Sequence, residues 1–220
     1  MNYQQLIARV KAILLVPASE WPVIAAEPAT VAGLYKGYIA ILAAIPPVAA
    51  FLQGSVLGTQ AGVFGTFRVG IGTGLALLIT SYALGLLAVY LLALLVNALA
   101  PTYGGQQDRL MALKVVAYAL TASWLAGVGQ LLPALGTLLL LAGGLYSIYL
   151  LYLGLPVTMK CEQDKALGYT VVTVIAGIVL GGVIGAVVGN VFGRQAIVDP
   201  QNIPGVIQGR APALEDAMAG

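Results

Sequence analysis

Long apolar runs separated by short polar breaks organise this chain, and the lengths of the runs decide its architecture. Such runs lie at about 36–53, 69–98, 113–132, 134–155 and 169–192. A helix that crosses a hydrocarbon core of roughly 30 Å needs about 20 apolar residues. The pattern therefore predicts an all-α polytopic membrane protein with a bundle of five transmembrane helices. The run at 69–98 is longer than a crossing requires and should tilt or project beyond the membrane. Inside the first run Pro46 and Pro47 are adjacent. Neither has a backbone N–H, so the pair should break the helix and free carbonyls that other spans must cover.

Ahead of the first span, Leu6, Ile7, Val10, Ile13 and Leu14 recur at helical spacing, while Gln4, Gln5, Arg9 and Lys11 interrupt them. This describes an interfacial amphipathic helix at about 3–16, with its basic residues near lipid headgroups, and not a signal peptide. Pro17 ends that helix, and Glu20, Trp21, Pro22, Glu27 and Pro28 read as a headgroup-level segment. A glycine-rich loop is expected at 54–68, a polar turn at Pro101–Asp108, a tight connection at Pro133 and a charged loop at Lys160–Lys165. The stretch 193–220 is polar enough to form an extramembrane tail. The remainder, 1–192, reads as a single membrane domain.

Composition agrees with the runs: 60% of the 220 residues are hydrophobic and 8% are charged. Soluble domains carry about 25% charged residues, so too few remain here to coat a surface facing water. A net charge of +2 offers no face for nucleic acid. With no histidine and one cysteine, the chain has no histidine base, no histidine-bearing metal site and no internal disulfide. No catalytic residue, metal site or cofactor is predicted. With five spans, Arg9, Lys11, Lys36, Arg109, Lys114, Lys160 and Lys165 fall on one side, and Arg68, Arg194 and Arg210 on the other. The excess of basic residues in short loops predicts a cytoplasmic N-terminus and an external C-terminus.

Few features point to chemistry. No acid sits in the middle of a predicted span, which argues against an ion-coupled carrier, since such proteins place ionisable groups at depth. A carbonyl-lined path around the Pro46–Pro47 break stays open. Asn97, Gln130 and Asn190 lie near span ends, where hydration accounts for them. Cys161 beside Lys160 raises the idea of a thiol of lowered pKa or an acylated juxtamembrane cysteine, but an unmodified loop residue is the simpler reading. Gly104 and Gly105 near Arg109 lack the remaining residues of a phosphate-binding loop.

Two patterns are more specific. Gly177, Gly181, Gly185, Gly189 and Gly193 fall at every fourth position of the fifth span, a glycine zipper that lets another backbone approach closely. The expected partner is another span of the same bundle, such as the fourth at Ala142, Gly143 and Gly144; the alternative is a homo-oligomer or another membrane protein. The second pattern is a charge cluster on the N-terminal side. Glu20 and Glu27 are expected within salt-bridge reach of Lys160 or Lys165, with Glu162 and Asp164 nearby, as a clamp between the N-terminal segment and the last loop.

With these residues in view, the chain resembles a bacterial branch of the Yip (Ypt-interacting protein) domain family. The resemblance is carried by Glu20-Trp21-Pro22 and Glu27, by Tyr118 and Trp124, and by Tyr152-Leu153-Gly154-Leu155-Pro156 with Met159-Lys160, Asp164-Lys165 and Gly168-Tyr169-Thr170. It spans roughly 8–192. Ala122 stands where the family pattern has proline. The resemblance implies five spans with a cytoplasmic N-terminus and, in eukaryotic relatives, vesicle trafficking and contacts with Rab GTPases. Those contacts rest on a longer N-terminal region, so a Rab-type partner is not expected. The reading is a non-enzymatic membrane protein, of a bacterial inner membrane, that organises lipid or protein partners. The alternative is a pore, carrier or lipid-moving protein that uses the proline-broken first span.

Overall fold

The computed structural model describes residues 3–60, 66–132 and 135–198. The tail beyond 198 and the connection at Pro133 lie outside the described residues, as do the surroundings of Gly193. Two short helices open the chain, α1 at Tyr3–Leu15 and α2 at Pro17–Ala26. Five apolar helical segments follow, each long enough to cross a membrane: Val31–Leu57, Ile71–Tyr103, Arg109–Leu131, Gly136–Met159 and Ala166–Val191. The fold is an all-α polytopic membrane protein.

Local chemistry explains where the helices begin and end. Thr30 caps the first span, its hydroxyl accepting from Gly33 N at 3.0 Å. Asp108 caps the third, its carboxylate accepting from Leu110 N at 2.8 Å and Met111 N at 3.0 Å. Lys160 stops the fourth in the left-handed conformation, φ 53°.

The first span is built in pieces. α3 (Val31–Leu34) passes through a widened π turn at Tyr35–Ile39 into α4 (Ala40–Ala43), then α5 (Ile45–Phe51), then a second π turn at Leu52–Leu57. The break falls at Ala44, so Pro46 and Pro47 occupy the first turn of α5, where a missing N–H costs least. The expected loop at 54–68 is partly helical. Gly58 turns the chain at φ 84°, and a two-residue antiparallel pair joins β1 (Thr59–Gln60) to β2 (Thr66–Phe67).

The second span is α6 (Ile71–Leu99), continued by a tight turn at Ala100–Tyr103. The third bends at Leu120 between α7 (Arg109–Ala119) and α8 (Thr121–Ala126), and the fourth and fifth are α9 (Gly136–Met159) and α10 (Ala166–Val198). α7 is the centre of the bundle, buried along almost its whole length. In the third span 67% of the apolar stretch is buried, whereas in the fifth only 6% is. One helix is thus the hub, and the last is the least buried of the five.

Candidate functional site

At the N-terminal end of the bundle, α1 and α2 fold back as a hairpin against α7, α8 and α9. The amphipathic pattern of α1 is used as a packing face, with Leu6 and Ile13 buried and Tyr3, Ile7 and Lys11 outside. Tyr146, well inside α9, donates its hydroxyl to Leu14 O at 2.6 Å and holds the turn of the hairpin. The segment expected at headgroup level is helical and central: Trp21 and Ile24 are 0% and 1% exposed.

Trp21 fits because Gly154 has no side chain. A Cβ on Gly154 would lie 2.6 Å from Trp21 Cζ2. The indole meets Tyr118 edge-on at 6.5 Å, and Tyr118 packs on Tyr38 at 4.5 Å. Tyr38 closes the chain of contacts with a 2.6 Å hydrogen bond to Thr121 Oγ1. Among the described residues Trp21 Nε1 has no hydrogen-bond partner.

The charges of this region are spent on the hairpin. Lys114, 2% exposed, donates to Ile24 O at 2.7 Å and Glu27 O at 2.6 Å, with Ala25 O at 3.5 Å. These are carbonyls at the C-terminus of α2, which lack helical partners and carry the negative end of the helix dipole. Arg9 forks between the carboxylates of Glu20 and Glu27. The expected clamp onto Lys160 and Lys165 is therefore corrected: among the described residues no ion pair within 4.0 Å links those acids to either lysine. Arg9 lies on the adjacent helix of the same hairpin, and its planar fork reaches both acids at once. Lys165 pairs instead with Glu162 at 2.8 Å within its own loop, and that exposed contact holds its ammonium pKa above the usual lysine value. Asp164 and Lys165 remain in the loop, away from the hairpin's ion pairs.

The Lys160–Lys165 loop docks on the turn after the second span through backbone and ring contacts. Gln106 N donates to Met159 O at 2.8 Å, and Tyr103 stacks on Tyr169 at 4.7 Å with the rings 6° from parallel. Tyr169 in turn donates to Val96 O. Cys161 is buried there, and burial pushes its thiol pKa up, the reverse of an activated thiolate. Sequence reasoning assigned no such role to Lys114 or Arg9. The available signal was a lysine at the head of the apolar run that begins at Leu113.

At the proline break the third span packs against Pro46. Gln130 Nε2 donates to Pro46 O at 3.2 Å, so this side chain serves the bundle and not only hydration. A Cβ on Gly127 would lie 2.8 Å from Pro46 Cγ, so the third span makes room for the ring. Asn190 donates to Ala186 O of its own helix, while Asn97 Oδ1 is buried with no hydrogen-bond partner among the described residues.

The zipper of α10 is different. Beside Gly177 the nearest atom to an added Cβ would be Leu92 Cδ2 at 3.8 Å, and a Cβ at Gly181, Gly185 or Gly189 would meet no described atom within 4 Å. α10 lies beside the fourth span, but the zipper does not close on Ala142, Gly143 and Gly144: a Cβ on Gly143 would meet Ala122 and Ala126 of α8, and one on Gly144 no described atom within 4 Å. α10 attaches through Ala166, Tyr169, Thr170 and Thr173, near its start. Further along, Gly185 and Gly189 are exposed, while Gly177 and Gly181 border a cavity between α10 and its neighbours.

A model of the Yip1 domain matches residues 11–184. The chain belongs to the Yip1 domain family. The Yip1 match contains the hairpin from Lys11 onward, the α7 hub, the Trp21–Gly154 contact, the first four spans and α10 as far as Ile184. Among curated relatives, the chain is similar to the inner membrane protein YohC of Escherichia coli strain K12, 27% identical over 169 residues, which is 74% of this chain and 85% of that protein. It is equally similar to the YohC of Escherichia coli O6:H1 strain CFT073. No solved structure matches the chain.

Proposed function

We propose that this Yip1 domain is a non-enzymatic organiser of membrane lipid or protein partners, acting through helix faces left open by its bundle. The observation that carries the reading is the exposed outer stretch of α10, where an added Cβ at Gly185 or Gly189 would meet no described atom within 4 Å. A glycine in a helix costs about 1 kcal/mol relative to alanine. Several in one register are worth that cost where a partner approaches closely, because in lipid packing contacts are a main source of helix association. The ionisable groups near the core, Lys114, Arg9, Glu20 and Glu27, are engaged in holding the hairpin. The similarity to an inner membrane protein supports a bacterial inner membrane as the site of action. The basic residues beside the hairpin and the 104–108 and 160–165 loops support a cytoplasmic N-terminus.

The alternative, a pore, carrier or lipid-moving protein working through the broken first span, is weakened by Gln130 and Gly127. They tie the third span to the carbonyl and the ring of Pro46, where such a path would have to open. Reconstitution into liposomes with ion-flux and lipid-scrambling assays separates the readings. The organiser leaves both rates at the level of empty vesicles, and co-purifies with defined lipid or protein from native membranes. Flux or scrambling that Gln130→Ala or Gly127→Leu changes would overturn it.

A further inference from the structure

A cavity of about 440 Å³ lies inside the bundle, walled by α6, α7, α8, α9 and α10. Its volume falls in the range of about 300–1,000 Å³ typical of small-molecule sites. It exists because glycines line it from three helices. At Gly85 on α6, Gly144 on α9 and Gly181 on α10, an added Cβ would meet nothing within 4 Å. The other walls are almost wholly aliphatic, with Trp124 among them. The rim residues Ile148 and Ile178 are 38% and 68% exposed, so the cavity opens sideways on the outer surface of α9 and α10. In a membrane that surface is lipid.

One polar group in the wall is unaccounted for. Thr173 is 0% exposed, lines the cavity, and its hydroxyl has no hydrogen-bond partner. The neighbouring Thr170 bonds to the carbonyl one turn back, Ala166 O, at 2.8 Å, and Thr158 does the same to Gly154 O at 2.8 Å. Thr173 does not use this local solution, so the wall of the cavity holds a buried donor with no acceptor among the described residues. Its depth indicates which acceptor. Thr173 stands two turns below the start of α10, roughly 10 Å along the axis at 1.5 Å per residue. The charged loop just above it, with exposed Lys165 and Glu162, belongs with headgroups and water. Ester carbonyls of a glycerolipid lie just beneath that layer, since the interfacial regions add only several ångströms on each side of the hydrocarbon core.

We propose that this recess holds one acyl chain of a glycerophospholipid, with the Thr173 hydroxyl donating to the ester carbonyl of that chain. A helix of a second copy does not suit the space, because with side chains it is about 10 Å across and its carbonyls are already bonded. A single hydrocarbon chain is narrow enough to pass the rim and carries its acceptor at one end. The inference rests on the lipid branch of the function proposed above and names the class of lipid.

The test uses the full chain in vesicles of phosphatidylethanolamine and phosphatidylglycerol containing a phospholipid brominated in the middle of its acyl chains. Bromine quenches indole on contact. The two tryptophans are Trp21, sealed at 0% exposure, and Trp124, 8% exposed in the cavity wall. The expected result is saturable quenching of Trp124, lost when Gly144→Leu or Gly181→Leu fills the recess. Thr173→Val, which keeps shape and removes the donor, should shift half-saturation to a higher brominated fraction, while an ether-linked brominated lipid should quench parent and variant alike. Trp21 emission and helicity by circular dichroism verify that each variant is folded; the rim position Gly181 serves if Gly144→Leu does not fold. Quenching that is absent in the parent, or unchanged by filling the recess, overturns the proposal. So does a dimer in native mass spectrometry that Gly144→Leu dissociates, since a second copy would then occupy the recess. Those outcomes leave the protein-partner branch standing, because assembly on the outer zipper is read at Gly185.

Discussion

Gly154 and Gly185 are the same residue on neighbouring helices of one bundle, and they have opposite surroundings. An added Cβ at Gly154 would lie 2.6 Å from the Trp21 ring, whereas at Gly185 nothing lies within 4 Å. The first glycine belongs to an end of the molecule where rings, a buried lysine and a forked arginine fix a hairpin against the spans. The second belongs to the outer half of a helix and is exposed, with no described atom within 4 Å of where its Cβ would stand. A glycine is thus a seat in one place and an unoccupied surface in the other, and only the neighbouring atoms distinguish them.

The comparison breaks most visibly at the packed end. Trp21→Ala removes the largest buried side chain of the hairpin and should cost about 3–5 kcal/mol, seen as a lower thermal midpoint in detergent. Trp21→Phe should cost much less, because the indole N–H makes no bond. Next comes Lys114→Met, which leaves the carbonyls of Ile24 and Glu27 unpaired. At about 1–3 kcal/mol for a buried polar group left unsatisfied, the loss should appear as faster proteolysis around residues 17–27. Gly154→Ala should follow at roughly 1–3 kcal/mol, since the rigid indole must move to admit a methyl group. At the open end, Gly185→Ala should leave the fold intact or stabilise it by up to about 1 kcal/mol through helix propensity. Gly185→Leu should leave a folded monomer and abolish any oligomer seen in the parent. A loss of folded yield from either change would show that the face is packed within the chain.

The smallest effect concerns Cys161. Burial raises its thiol pKa, so a smaller fraction is thiolate at neutral pH than in an exposed cysteine, and the fraction grows only as pH climbs toward the raised value. Alkylation of the native protein at pH 7 should be slower than that of the denatured chain, with the gap narrowing at higher pH. Equal rates at pH 7 would contradict the burial.

The five spans were legible because their evidence is local: run length and the punctuation of Pro101, Asp108, Pro156 and Lys160. The hairpin was legible only in part. The spacing of Leu6, Val10 and Ile13 announces a helix with one apolar face, but not that the bundle, and not the lipid surface alone, receives it. Trp21 beside Glu20 and Pro22 has the composition of an interfacial segment. Its burial depends on Gly154, which lies on the fourth span, far along the chain. The partner of Glu20 and Glu27 followed the same logic. Sidedness brings Lys160 and Lys165 to the same face of the membrane, but helix pairing brings Arg9 to the acids themselves. The zipper at Gly177–Gly193 stood out by its spacing, yet spacing carries no information about what lies opposite.

The contrast between a sealed hub and an open last helix is tested most directly by spin-label accessibility to oxygen in lipid. Single labels at Gly185→Cys on α10 and Leu150→Cys on α9, in a Cys161→Ser background, would be compared at high lipid-to-protein ratio, where chains are isolated. Leu150 is 0% exposed, so its label should be strongly shielded. The label at 185 should collide with oxygen as freely as one on a lone helix in the same bilayer. If position 185 is as shielded as position 150 in the isolated chain, α10 packs into its own bundle and the account of an open face is wrong.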